Sequence, residues 1–267
     1  MDSERIIRGM MEPSRLLRVL WRHIPIGSFA LRMKFDVFTK TQYAFGIYHA
    51  ARLARSLGIP EISCIEFGVA SGTRLMYMEK LAKEVSRELG VKIQLYGFDL
   101  ATGLPETRGY KDLPYVWKNG FYKMDHEWLT QRLSFAKLVI GNVADTVQTF
   151  SETYNPAPVG FISFDLDLHS STTEALKLFS TGCEILPRVI CYFDDVIDAP
   201  EATAMFNDWT GELLAIKEFN EIHEAMKLAK INALAESRFV RSAWLSAIYV
   251  LHSFGHSRYN DYIFIEV

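Results

Sequence analysis

The sequence predicts an α/β fold, a doubly wound and mostly parallel sheet with helices on both faces. Three observations carry that prediction. From about residue 60 onward, short and nearly continuous apolar runs alternate with helical patterns, as strands buried on both faces require. Glycine or acidic residues stand directly after these apolar runs. Hydrophobic residues make up 49% and charged residues 23% of 267 residues, enough for one large core and too apolar for global disorder.

Residues 1 to about 40 read as helix interrupted at Pro13 and Pro25. Apolar residues from Thr41 to Leu57 recur at helical spacing and stop at Gly58 and Pro60, a helix followed by its breakers. Ile62 to Phe67 is a buried strand, Arg74 to Leu89 a helix ended by Gly90, and Val91 to Phe98 a second strand. Residues 100 to 124 form a long loop rich in aromatics, and Asp125 caps a helix to about Leu133. Lys137 to Ile140, Val159 to Phe164 and Val189 to Phe193 are the next strands, with helices at Val147 to Tyr154 and Ser171 to Ser180 between them. Ala202 to Leu228 reads as mostly helix. Ala247 to Leu251 and Tyr262 to Val267 read as strands of an antiparallel edge. One domain spans 1–267, with a helical extension (1–58), a core (59–198) and terminal helices and edge strands (199–267).

The net charge of −3 argues against a general nucleic-acid binder, which needs a strong basic excess. No apolar run approaches the ~20 residues of a membrane span, and no secretory order of charge, apolar stretch and small residues is present. Stable membrane insertion is therefore not expected. The stretch Arg15 to Arg22 is basic and amphipathic; its apolar face is expected to pack on its own domain rather than touch a membrane surface. Cys64, Cys183 and Cys191 lack CxxC spacing and sit in apolar runs, so they read as buried free thiols of a cytoplasmic protein. Homo-oligomerisation is left open.

Ligands of an open parallel sheet bind beyond the carboxyl ends of its strands. There the sequence places Glu66 with a glycine loop, Asp99, Gly141-Asn142, Asp165-Leu-Asp167, and Asp194-Asp195. Like charges on one rim repel, so a positive partner is expected among them. The first loop has the spacing E-x-G-x-x-x-G (Glu66, Gly68, Gly72) and not the G-x-G-x-x-G of dinucleotide enzymes. Its leading acid suits a cofactor with an amino group and a sulfonium better than a pyrophosphate. Asp99, ending the second strand, can accept hydrogen bonds from both hydroxyls of a ribose.

The ordered set Ile65-Glu-Phe-Gly-Val-Ala-Ser-Gly72, Tyr96-Gly-Phe-Asp-Leu-Ala-Thr-Gly-Leu-Pro105, Phe164-Asp-Leu-Asp-Leu-His-Ser-Ser-Thr172 and Phe193-Asp-Asp195 resembles class I S-adenosylmethionine-dependent methyltransferases. Among them it is most similar to the macrocin O-methyltransferase family. The resemblance covers roughly residues 60 to 197. It implies a Rossmann-like, seven-stranded sheet, with S-adenosylmethionine held by Glu66, Gly68, Gly72 and Asp99 and its adenine near Asn142 and Val143. It implies magnesium on Asp165, Asp194 and Asp195, an oxygen-only donor set that suits a hard cation. Asp167 rivals Asp165, since a kink at the strand end can present either.

The activity implied is magnesium-assisted methylation of a hydroxyl on a small molecule, with Asp165 taking the proton and His169 as second candidate. The family usually carries Tyr at the position of His169, so the substrate wall is expected to differ. His126, His223, His252 and His256 read as structural or solvated. Tyr110, Tyr115, Trp117, Phe121 and Tyr122 serve either as a lid over substrate or as packing for a long loop. The other readings are a metal-independent N- or C-methyltransferase and a non-catalytic S-adenosylmethionine-binding partner subunit. An NAD-dependent dehydrogenase is the weakest.

Overall fold

In a computed structural model of the chain, residues 15–24, 26–196 and 207–264 are described. The sheet has seven strands: β1 (Glu61–Phe67), β2 (Lys92–Asp99), β3 (Lys137–Ile140), β4 (Val159–Phe164), β5 (Ile185–Phe193), β6 (Met226–Lys230) and β7 (Ile248–Ser253). Their order is β3-β2-β1-β4-β5-β7-β6. The pairs from β3 through β5 are parallel, whereas β7 runs antiparallel to both β5 and β6. The chain reverses its direction of winding between β1 and β4, which opens a crevice at their carboxyl ends.

Helices α1 (Arg15–His23), α2 (Phe29–Lys34), α3 (Thr41–Ser56) and α4 (Thr73–Leu89) precede β2. Next come α5 (His126–Thr130), α6 (Val143–Tyr154), α7 (His169–Leu176) and α8 (Gly211–Ile222). Helix α3 packs across β1, β4 and β5 beside α4, while α7 lies between α6 and α8. One cluster of buried side chains extends from Phe29 to Leu251. The three cysteines are buried and unpaired. Among the described residues no helix is long and apolar enough to cross a membrane.

Register decides where the loops emerge. Phe67 pairs with Phe98 and with Phe164, and Phe164 pairs with Phe193. These four rings form a buried row, with centroids 4.6 Å, 5.5 Å and 4.5 Å apart along it. Phe150 of α6 meets the row at Phe98, 5.0 Å away. Each phenylalanine is followed by a residue that the sequence singled out: Gly68, Asp99, Asp165 and Asp194. Because successive strand residues alternate faces, a level row of rings on one side brings these four to one height.

Several elements differ from expectation. The helical pattern of Ala202 to Leu228 holds in α8, but Met226–Lys230 is the edge strand β6. Asn220 makes the turn: its Nδ2 donates to the Leu228 carbonyl at 2.9 Å and its Oδ1 accepts the Leu228 N–H at 2.7 Å. Pairing with β7 then outweighs the local helical preference. Tyr262 to Phe264 form no strand, and residues 197–206 and 265–267 lie outside the described ones. So do Pro13 and Pro25, the expected helix breaks; α1 ends at His23 and α2 starts at Phe29 after its cap Ser28. The apolar face of α1 is largely uncovered, with Leu17 and Leu20 56% and 53% exposed. Trp21 packs against Phe35 at 5.8 Å, and Arg22 Nε donates to the Val37 carbonyl at 2.7 Å.

Candidate active site at the strand tips

The first loop is built by backbone crossing. Gly68 sits at φ +84, and its N–H donates to the Phe98 carbonyl at 2.9 Å while the Asp165 N–H donates to Phe67 at 3.0 Å. A Cβ on Gly68 would stand 1.8 Å from the Asp165 carbonyl oxygen, so only glycine fits. Gly72, also left-handed, starts α4 and abuts Leu129 of α5. Asp99 fastens the loop from below: its Oδ2 accepts the N–H groups of Val69 and Ala70, both at 2.8 Å, and its Oδ1 that of Ala101 at 2.6 Å. A carboxylate has about four acceptor sites, so three are taken and room remains for one hydroxyl rather than two. Asn142 caps α6 by accepting the Ala144 N–H at 3.0 Å, which sets Asn142 and Val143 at the tip of β3.

Glu66 points to the opposite face from Phe67 and is fully buried. Tyr43 of α3 donates to its Oε1 at 3.0 Å, and Ser163 donates to Tyr43 at 3.2 Å. Oε2 has no partner among the described residues. Burial pushes the Glu66 carboxyl up to about 8, against the opposing pull of Tyr43 and Arg74. A folded-state value above the ordinary 4.5 means that full stability holds below that pH and is lost as pH rises through about 8. Glu66→Gln should therefore match wild type in thermal unfolding at acid pH, gain on it as pH rises from 4.5 to about 8, and keep a constant advantage above that. The gap can widen by at most about 1.4 kcal/mol per pH unit. Parallel curves for the two proteins would remove Glu66 as the source.

The acids beyond β4 and β5 converge. Asp165, Asp194 and Asp195 each offer an oxygen, all within 4.8 Å of one another. Asp167 also reaches the cavity because it adopts φ +61, an uncommon conformation for a non-glycine residue. Its N–H donates to Asp195 Oδ2 at 2.9 Å, and the Asp195 N–H donates to the buried Glu212 at 3.0 Å. Tyr192 donates to Asp194. Burial, then repulsion from Asp194, raises Asp195 to about 7; burial and Asp195 raise Asp167.

The expected positive partner is Arg74, in the first turn of α4, which donates to Asp165 and, at 3.1 Å, to Asp194. The sequence signal was an arginine two residues after Gly72. Glu212 and Tyr43 were also missed, because nothing in a helix's sequence shows which residue it pushes beneath a distant strand tip.

These tips enclose a cavity of about 240 Å³. Of the residues expected to act there, Gly68, Asp99, Asn142, Val143, Asp165, Asp194 and Asp195 line it; Glu66 and Gly72 do not. His169 does not line it either. At the start of α7 it turns toward α8, where Nε2 meets Glu218 at 2.7 Å, and Glu218 also accepts from Lys111 at 2.6 Å. This contact ties α7 to α8. Trp117 and Tyr122 wall the cavity, whereas Tyr110 and Tyr115 point to solvent, 68% and 66% exposed. Of the five aromatics, Trp117 and Tyr122 thus face the cavity, while Tyr110 and Tyr115 neither cover it nor pack the loop.

Sheet order and antiparallel end are those of the Rossmann-like methyltransferase fold. Solved structures bear this out. The calicheamicin methyltransferase CalS11 matches with a TM-score of 0.57 and 18% identity over 96% of this chain and 95% of that one. The O-methyltransferase NovP matches with a TM-score of 0.51 and 15% identity over 79% of each chain. At such identities the likeness is one of fold. No family model and no curated protein matches the sequence.

Proposed function

We propose that this chain is an S-adenosylmethionine-dependent methyltransferase that methylates a hydroxyl of a small molecule, assisted by magnesium. The observation that carries the reading is one cavity with two chemically different halves. One half offers Gly68, Asp99, Asn142 and Val143; the other offers Asp165, Asp194 and Asp195. The order of motifs favours the macrocin O-methyltransferase family within this fold.

Both groups fit the residues present. Asp99 keeps one acceptor site for a ribose hydroxyl, and Gly68 lines the same cavity, its missing side chain making room for the Asp165 carbonyl. The acid trio presents only oxygen donors within 4.8 Å, a set suited to a hard cation. A bound divalent ion supplies Lewis acidity that lowers the pKa of an acceptor hydroxyl. In this reading Asp165 takes the hydroxyl proton; it lines the cavity together with Asp167. Trp117 and Tyr122 exclude water from the reacting groups.

Calorimetric titration with S-adenosylhomocysteine tests the cofactor, and turnover with and without a chelator tests the metal. Binding of S-adenosylhomocysteine and not of NAD is expected, with activity lost on chelation. Asp99→Ala should weaken S-adenosylhomocysteine at least about tenfold, the loss of one charged hydrogen bond together with a loosened loop. Unchanged affinity in that variant would take Asp99 out of the site.

A further inference from the structure

The cavity contains five carboxylates, Asp99, Asp165, Asp167, Asp194 and Asp195, and Arg74 is the sole cationic side chain among the described residues lining it. Arg74 is already paired, its guanidinium bridging Asp165 and Asp194. These are two of the three acids grouped closely enough to hold a metal ion. A dication on those carboxylates and a guanidinium between them repel each other, so the two cations compete for one place. The cofactor reading adds a second demand. An amino acid carboxylate entering so acidic a cavity needs a positive partner, and among the described lining residues Arg74 is the one that can supply it.

We infer that Arg74 is an exchangeable counter-ion: the divalent ion displaces it from Asp165 and Asp194, and the freed guanidinium binds the carboxylate of the cofactor. The inference rests on the functional reading above. Its chemistry is that of a planar fork well matched to carboxylates, on a side chain that is 31% exposed and rooted just past the glycine loop. Metal and cofactor then assist each other's binding although they share no ligand. Linkage requires the two effects to be equal.

The test titrates the intact protein with S-adenosylhomocysteine with and without Mg²⁺, and with Mn²⁺ followed by electron paramagnetic resonance with and without S-adenosylhomocysteine. In wild type each ligand should tighten the other at least about fivefold. Arg74→Met should bind Mn²⁺ more tightly than wild type when alone, bind S-adenosylhomocysteine more weakly, and show no mutual effect. Arg74→Lys, which keeps the charge but cannot bridge two carboxylates, should show a reduced effect and provides the same comparison if the methionine variant fails to fold. Mutual tightening of wild-type size in both variants overturns the inference, as does a wild type that binds both ligands independently. A wild type that binds neither S-adenosylhomocysteine nor Mn²⁺ instead overturns the functional reading, and this inference with it.

Discussion

Gly68→Ala is expected to unfold more easily than wild type by more than about 4 kcal/mol, beyond the range of ordinary substitutions, and to lose S-adenosylhomocysteine binding. Thermal melting should fall by on the order of 10 °C. Two causes add. An L side chain at φ +84 is strained by about 1–2 kcal/mol, and the new Cβ would lie 1.8 Å from the carbonyl oxygen of Asp165. That neighbour is backbone held by the β1–β4 pairing and cannot give way without parting the two central strands. Gly182→Ala is the control, since Gly182 has φ +78 but nothing within 4 Å of its Cβ position. It should show the strain alone. Equal losses at the two positions would mean that the crossing of the loops is not tight.

Asp165→Asn should lower turnover with a hydroxyl acceptor on the order of 10³-fold, the scale of losing a preorganised charged group in a closed site. Mn²⁺ affinity should fall at least about tenfold, no less than the loss of a supporting residue around a metal costs. Affinity for S-adenosylhomocysteine should be unchanged or higher, because the substitution removes one of the two carboxylates that hold Arg74. Single-turnover kinetics and calorimetry read these separately. Full activity in this variant would assign the proton transfer and the ion to other residues, and an equal fall in all three quantities would indicate a collapsed rim.

Much of the site was legible because its residues come immediately after apolar strands. Gly68, Asp99, Asn142, Asp165 and Asp194 are each found by locating where such a run ends. Residues whose role depends on another element gave weaker signals or misleading ones. His169 lies four residues from Asp165, yet α7 turns it to Glu218. Glu66 heads the glycine motif, yet strand alternation sends it beneath the sheet to Tyr43. Arg74 carried a general expectation, a cation among acids, without a means of choosing which cation. The edge strand β6 was masked by a helical pattern running on from α8, and is set by its pairing with β7 after the Asn220 clasp on Leu228 turns the chain.

By itself the sequence determined the alternation of strands and helices and the acidic or glycine character of each strand end, since both follow from local spacing and side-chain chemistry. Only the tertiary structure decided strand order, the level register of Phe67, Phe98, Phe164 and Phe193, and the meeting of Arg74 with Asp165 and Asp194. Those depend on contacts between residues far apart in the chain, whose strength comes from burial and from paired charge rather than from any preference of the residues taken singly.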